Sequence, residues 1–119
     1  MRLEDLQARV RAFSDARDWA QFHSPRNLAM ALSVEANELL ALYLWAKDGG
    51  PQPAEPGRVP HVAEEAADVL ICLLNFADRA GIDLEAAMLA KLAAAEEKYP
   101  ADRVRGQARK YDEYPEWKK

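Results

Sequence analysis

Apolar side chains recur at helical spacing through most of the sequence. In residues 3–16 they stand three or four positions apart, opposite arginine and glutamate, which predicts an amphipathic helix. Ser24 followed by Pro25 is typical of a helix N-cap and a first helical position. A second helix is therefore expected from Pro25 to about Trp45.

The second half of the sequence predicts two further helices after a long loop. Residues 47–60 contain four prolines and three glycines, too many for a helix or a central strand. The next helices are expected over 60–79 and 84–98, followed by a charged tail over 100–119. Because no stretch alternates apolar and polar residues as a strand would, we predict an all-α fold of four helices in one domain, 1–119.

Two acidic pairs interrupt the apolar runs of the second and third helices. Glu35 and Glu38 stand three positions apart in SVEANELLALYLW, and Glu65 and Asp68 repeat that spacing in HVAEEAADVLICLLNF. Residues at this spacing share one face of a helix. An ionised carboxylate in apolar surroundings costs several kcal/mol unless it is paired or bound to a cation. If the two helices pack antiparallel, we expect the four carboxylates to cluster around a metal ion.

The chemistry of the ligands indicates which metal to expect. Carboxylate oxygens suit hard divalent cations, so Mg²⁺ is the expected ion, with Mn²⁺ as an alternative. The sequence has two histidines and one cysteine, which argues against a zinc site built on soft ligands. The alternative to a metal site is an acidic helix face that is simply solvated. A solvated face explains one Glu-x-x-Glu well, but it explains two acidic pairs in apolar helices poorly.

Composition narrows the class of protein and its surroundings. The chain has 119 residues, is 50% hydrophobic and 30% charged, and carries a net charge of −4. This balance is typical of a globular domain and argues against binding of a nucleic-acid polymer through a basic surface. Cys72 is the only cysteine, and no run of about 18 apolar residues is present. Together with the charged N-terminal segment, these features predict a cytoplasmic protein without a signal peptide or a membrane span.

The second and third predicted helices are apolar on more faces than one neighbour can cover. Exposed apolar surface of that extent usually marks a protein interface. We therefore expect a homo-oligomer, either a dimer or a tetramer, in which helices pack across the subunit boundary.

The acidic pattern and several longer stretches resemble the MazG-like nucleoside triphosphate pyrophosphohydrolases, and among them the small all-α dCTP pyrophosphatase subgroup. The family pattern places Glu-x-x-Glu and then Glu-x-x-Asp on successive helices. The stretches RDWAQFHSPRNLAMALSVEANEL, EEAADVL, KYP and RGQARKY also look like that subgroup. The resemblance implies a MazG-like four-helix bundle and a Mg²⁺-dependent house-cleaning enzyme. Its expected reaction converts dCTP, or a modified or non-canonical nucleotide, to the monophosphate and pyrophosphate.

The resemblance also implies the residues that contact metal and substrate. Four acids would hold the metal on the triphosphate, namely Glu35, Glu38, Glu65 and Asp68. Among these, Glu38 is the first candidate to accept the proton of the attacking water, and Glu35 is the second. The base would contact Trp19, His23, Asn27, Trp45 and Cys72. The phosphates would contact Lys91, Lys98, Arg109 and Lys110.

Ordinary structural explanations stay open for several of these residues. Tryptophans at helix ends are commonly core or interface anchors, and His23 can belong to the cap of the second helix. Basic residues near the end of the fourth helix also offset its dipole or face solvent.

Two positions depart from the subgroup pattern and keep other functions open. Cys72 stands where a tyrosine is common, and Ala95 stands where an asparagine is common between the two lysines of the fourth helix. A second hypothesis is therefore a nucleotide-binding or sensor module with weak or no hydrolysis. A third is a purely structural helical oligomer, which leaves the two acidic pairs unexplained.

Overall fold

A computed structural model of the chain describes residues 1–44 and 59–113. The α-helices in these ranges are α1 Leu3–Ala16, α2 Pro25–Ala41, α3 Val59–Ala80, α4 Leu84–Lys98 and α5 Ala101–Val104. Short 3₁₀ helices lie at Ala20–Phe22 and Tyr111–Glu113. Neither described range contains a strand, so the predicted all-α class is confirmed for them.

All four predicted helices are present, and the structure corrects the extent of one. α2 ends at Ala41, four residues before its expected end at Trp45. The next N–H groups bond three residues back instead of four, as in the bond of 2.9 Å from Tyr43 to the Leu40 carbonyl, which tightens the chain into a turn. Trp45 itself, and most of the predicted loop 47–60, lie outside the described residues. The four-residue helix α5 is an addition within the predicted tail.

The ends of the helices follow from local side-chain chemistry. The Ser24 hydroxyl accepts a hydrogen bond of 3.1 Å from the N–H of Asn27 and caps α2. Asp83 caps α4 in the same way, through a bond of 3.0 Å from the N–H of Ala86. Gly81 ends α3 with a φ of 70°, a left-handed conformation that glycine adopts without steric cost. The bond to Ser24 confirms the cap predicted for the second helix.

The chain forms two compact units, residues 1–82 and 83–119. The first contains α1, α2 and α3, and the second contains α4 and α5. The expectation of one functional domain stays a prediction.

α3 is the central helix of the first unit, because it packs extensively against α2 and also against α1. Leu28 of α2 and Leu74 and Ala77 of α3 are the buried apolar residues among those described, and Leu74 is only 2% exposed. Burial of a leucine side chain stabilises a fold by about 1.5–3 kcal/mol. The apolar contact between α2 and α3 is therefore the main source of stability that this unit has by itself.

Polar contacts join α1 to α3 at three points along one face of α1. Positions 7, 11 and 14 follow an i, i+4, i+7 pattern, so their side chains point the same way. The bonds are Gln7 Nε2 to the Leu74 carbonyl at 3.3 Å, Arg11 Nε to Asp78 Oδ1 at 2.9 Å and Ser14 Oγ to Asn75 Oδ1 at 3.5 Å. Hydrogen bonding to the Asp78 carboxylate, together with its charge, raises the pKa of Arg11. These contacts fix the register of α1 along α3.

Large apolar side chains stay exposed on both units. Several of them on α2, on α4 and in the segments next to α2 are more than half exposed. They are Phe22, Met30, Val34, Leu40, Leu44, Met88, Leu89 and Leu92. Within the described ranges, no helix is long and apolar enough to cross a membrane.

Packing should outweigh the ion pair in the stability of the first unit. We expect Leu74→Ala to lower the free energy of unfolding by about 2–5 kcal/mol, because it leaves a cavity in the core. Arg11→Met should cost about 1 kcal/mol or less, because the pair that it breaks is solvent-accessible. Urea unfolding at one fixed protein concentration measures both values. Equal costs for the two variants would contradict the dominance of apolar packing.

Candidate functional site

The packing of α2 against α3 brings three predicted acidic residues together. The carboxylate oxygens of Glu35, Glu65 and Asp68 all lie within 4.8 Å of one another. Two oxygens bound to one Mg²⁺ at about 2.1 Å can be at most about 4.2 Å apart. A small inward movement of these side chains would therefore let the three oxygens contact one ion. We call Glu35, Glu65 and Asp68 the acidic cluster.

The electrostatics of the acidic cluster favour a cation. Partial burial, and then the charges of Asp68, Glu38, Glu35 and Glu64, raise the pKa of Glu65. Across the ranges 1–44 and 59–113, no lysine or arginine forms an ion pair with the acidic cluster. Within these ranges, no ion pair therefore offsets the repulsion among the three carboxylates.

Glu38 stands slightly apart from the acidic cluster. It is exposed and is not one of the three residues whose oxygens converge, yet it lies near enough to raise the pKa of Glu65. Its assignment as a fourth metal ligand stays a prediction.

Cys72 lies beside the acidic cluster, one turn of α3 after Asp68. The thiol is half-buried. Burial, and then the charges of Glu35 and Asp68, raise the pKa of Cys72, so the thiol is protonated at neutral pH. The side chain is therefore a small neutral group at the edge of the cluster.

Three of the residues predicted to contact the base, Trp19, His23 and Asn27, lie around the turn between α1 and α2. The Trp19 ring is 45% exposed and packs edge-on against Phe13, with ring centroids 5.6 Å apart. Asn27 Nδ2 donates to the Phe22 carbonyl at 3.1 Å, and the His23 carbonyl accepts from Arg79 Nε at 2.9 Å. Asn27 and His23 thus both contribute to the turn, which supports the explanation that His23 belongs to the cap of the second helix. Their contact with a base stays a prediction. Trp45 lies outside the described residues.

The sequence analysis did not identify a cavity on the first unit as a candidate binding site. The cavity measures about 300 Å³ and is lined by Arg9, Val10, Phe13 and Ile71. Val10 and Phe13 belong to the apolar stripe predicted for the first helix, and periodicity alone cannot show that Phe13 stays half exposed. An aromatic wall next to Trp19 is a suitable surface for a planar group.

Three of the four predicted phosphate-binding residues converge in the second unit. Lys91, Lys98 and Lys110 line a cavity of about 290 Å³ together with Ala94, Ala95 and Tyr99. Arg109 does not line it, and its guanidinium donates to the Glu113 carbonyl at 3.2 Å. We call this space the lysine pocket.

Comparison with known proteins identifies relatives of the chain. The profile of the MazG-like family matches residues 30–114. The dCTP pyrophosphatase 1 of Homo sapiens is 44% identical over 115 residues, which are 95% of this chain and 68% of that protein. The protein of the same name from Rattus norvegicus is 41% identical over the same shares. A pyrophosphatase of known structure from Archaeoglobus fulgidus superimposes with a TM-score of 0.72 at 38% identity, over 82% of this chain and 92% of that chain.

Binding of Mg²⁺ or Mn²⁺ should raise the melting temperature of the wild-type protein. A ligand at 100 times its dissociation constant stabilises the folded state by about 2.7 kcal/mol. We expect Glu65→Gln and Asp68→Asn to lose most of this shift, whereas Glu64→Gln, an exposed neighbour outside the acidic cluster, should keep it. Differential scanning fluorimetry with and without metal provides the measurement.

Metal-free protein gives an independent check on the same variants. Because the pKa of Glu65 is raised, its ionised form is less favourable in the folded state than in the unfolded state. Glu65→Gln should therefore leave the melting temperature unchanged or raise it at neutral pH. A Glu65→Gln variant that kept the full metal-dependent shift would contradict the assignment of the acidic cluster.

Proposed function

This chain belongs to the MazG-like family, and on that premise we propose that it is a Mg²⁺-dependent nucleoside triphosphate pyrophosphohydrolase. The proposed substrate is dCTP, or else a modified cytosine nucleotide or another non-canonical triphosphate, and the products are the monophosphate and pyrophosphate. The observation that carries the proposal is the acidic cluster, whose oxygens converge without a lysine or arginine ion pair in the described ranges. Relatives named as pyrophosphatases support the reaction class.

Two functions are proposed for the acidic residues, namely binding of the metal ion and transfer of a proton. When bound, a divalent ion neutralises the phosphate oxygens and lowers the pKa of water. Glu35, Glu65 and Asp68 would hold that ion, since their oxygens already converge. Glu38 stands next to them without being part of the cluster, so its carboxylate is the first candidate to accept the proton of the attacking water. Glu35 is the second candidate.

The base site is proposed to lie around the turn between α1 and α2. Trp19 offers an exposed ring for stacking, and the cavity beside Phe13 offers apolar walls of suitable size. His23, Asn27 and Trp45 complete the proposed set. Cys72 is smaller than the tyrosine expected at its position, and it lies beside the acidic cluster. This small side chain leaves room for a substituent on the base, which supports a modified cytosine nucleotide as substrate.

The triphosphate is proposed to contact the basic residues of the second unit. Lys91, Lys98 and Lys110 converge on the lysine pocket, and Arg109 is one residue away from Lys110 in the chain. Ammonium and guanidinium groups form strong charge-assisted hydrogen bonds with phosphate oxygens.

A homo-oligomer, either a dimer or a tetramer, is proposed as the working form of the protein. Few apolar side chains are buried in the described part of the chain, while many large ones on α2 and α4 are more than half exposed. Contact with a second copy would remove this surface from water and stabilise both copies.

The reaction is tested by measuring pyrophosphate release from a panel of standard and modified nucleoside triphosphates, with and without Mg²⁺. We expect release that depends on the metal and is fastest with cytosine nucleotides. Asp68→Asn and Glu38→Gln should reduce turnover at least about 100-fold, as loss of a metal ligand or a general base does. Glu64→Gln is the matched control and should keep wild-type turnover.

The substrate panel also separates the alternatives. Release spread over several bases would support the reaction and contradict the preference for cytosine. Tight binding of a triphosphate without release would identify a nucleotide-binding or sensor module instead. Full activity of Asp68→Asn would refute the proposed use of the acidic cluster.

The oligomer is tested by analytical ultracentrifugation at micromolar concentration. The mass of one chain is 13.4 kDa, so the molar mass from sedimentation should be twice that value for a dimer and four times that value for a tetramer. Val34→Glu on α2 and Leu89→Glu on α4 place a charge on exposed apolar surface, and at least one of them should lower the observed mass. A mass of one chain at all concentrations would contradict the oligomer.

A further inference from the structure

Asp18 has a backbone conformation that is unusual for its residue type. Its φ is 53°, whereas the other described residues with a positive φ are glycines. The N–H of Trp19 donates to the Ser14 carbonyl at 3.0 Å, and the N–H of Asp18 donates to the Asp15 carbonyl at 3.1 Å. These two bonds end α1 in a Schellman motif, whose left-handed position is usually a glycine. A residue with a Cβ atom has a steric cost there that glycine avoids.

The side chain of Asp18 makes a contact that glycine could not make. Gln21 Nε2 donates to the Asp18 carbonyl and to Asp18 Oδ2, at 3.0 Å in each case. Because one amide holds both groups of the left-handed residue, the two bonds oppose rotation about its backbone. The Trp19 carbonyl then accepts from the N–H of Phe22 at 2.9 Å. Trp19 therefore has both of its backbone groups in hydrogen bonds, directly after a residue that is held in one conformation.

The ring of Trp19 is also held from one side. It meets the Phe13 ring edge-on, with an angle of 75° between the ring planes. The Arg17 guanidinium lies over the same Phe13 ring, 3.7 Å from its centroid. Even so, Trp19 stays 45% exposed. A ring that is fixed in place while much of its surface faces solvent is suited to stack on a planar ligand without further ordering.

The turn that carries Trp19 is joined to α3 at both ends. Ser14, whose carbonyl accepts from Trp19, is only 4% exposed, and its hydroxyl bonds to Asn75 of α3 at 3.5 Å. At the other end, Arg79 of α3 donates to the His23 carbonyl at 2.9 Å. Two members of the acidic cluster lie on the same helix. These contacts therefore fix the turn relative to the helix that carries the candidate metal site.

We propose that Asp18 is a positioning residue, which holds the Trp19 ring ready to stack on a nucleobase. The inference rests on the proposed function, because the ring has a base to stack on only if the chain binds a nucleotide. Asp18→Gly would remove the steric cost of the left-handed backbone and the side-chain contact with Gln21 together. The stability of the fold and the affinity for a base should therefore respond differently to this change.

Isothermal titration calorimetry of the full chain with Mg²⁺ and two ligands tests this inference. One ligand is the α,β-imido analogue of dCTP, in which the bond between the α and β phosphates resists hydrolysis. The other is inorganic tripolyphosphate, which has three linked phosphates and no base. We expect Asp18→Gly to weaken binding of the imido analogue about fivefold, because the stacking conformation of Trp19 is then only partly populated. Binding of tripolyphosphate and the melting temperature should stay close to the wild-type values.

Three further variants separate rigidity from charge. Asp18→Asn should bind both ligands as the wild type does, because asparagine tolerates the left-handed conformation and its Oδ1 accepts from Gln21. Gln21→Met removes the donor at similar side-chain length, so it should weaken binding of the imido analogue as Asp18→Gly does. Asp15→Asn removes an equal charge one turn earlier and should leave both affinities unchanged. Loss of a negative charge favours an anionic ligand, so weaker binding by Asp18→Gly has the opposite sign to a charge effect.

The other outcomes also decide the inference. Equal loss of affinity for both ligands, or unchanged affinity of Asp18→Gly for the imido analogue, would overturn it. A lower sedimentation mass of Asp18→Gly would also overturn it, because it would assign the turn to a subunit interface. Turnover of dCTP by the wild-type protein distinguishes these results from failure of the proposed reaction. Binding of the analogue that depends on Asp18, without turnover, would refute the reaction alone, and turnover with binding independent of Asp18 would refute the positioning alone.

Discussion

The contact between α2 and α3 is the interaction on which the first unit depends. The buried apolar residues of the two helices, among those described, are Leu28 of α2 and Leu74 and Ala77 of α3. The same pair of helices carries Glu35, Glu65 and Asp68, whose oxygens converge to within 4.8 Å. The apolar contact must therefore hold together a group of carboxylates that repel one another. The stability of the unit and the geometry of the candidate metal site thus come from one interface.

Much of the helical framework could be predicted from the sequence because it is determined locally. Ser24 and Asp83 cap helices through side chains that bond within three residues, and Gly81 ends α3 because its backbone can be left-handed. The acidic pairs could be predicted for a related reason. An ionised carboxylate among apolar residues is visible in the sequence, and its burial costs free energy. A bound or paired cation usually offsets that cost.

Features that depend on contacts between distant segments could not be predicted in the same way. The turn after Ala41 replaces the last part of a helix whose apolar pattern continues. Phe13 has the spacing of a core residue but stays half exposed and lines a cavity with Ile71, which is far away in the sequence. Arg109 was grouped with its neighbour Lys110 as a phosphate ligand, yet only the lysine reaches the pocket. Periodicity shows which side of a helix a residue occupies, but not what covers that side.

The position of Cys72 has a consequence for the chemical durability of the protein. Only the thiolate form of cysteine reacts readily with oxidants and alkylating agents. Burial and the negative field of Glu35 and Asp68 keep Cys72 in its thiol form. Carboxylates that are placed to attract a cation therefore also protect the one sulfhydryl group of the chain from oxidation.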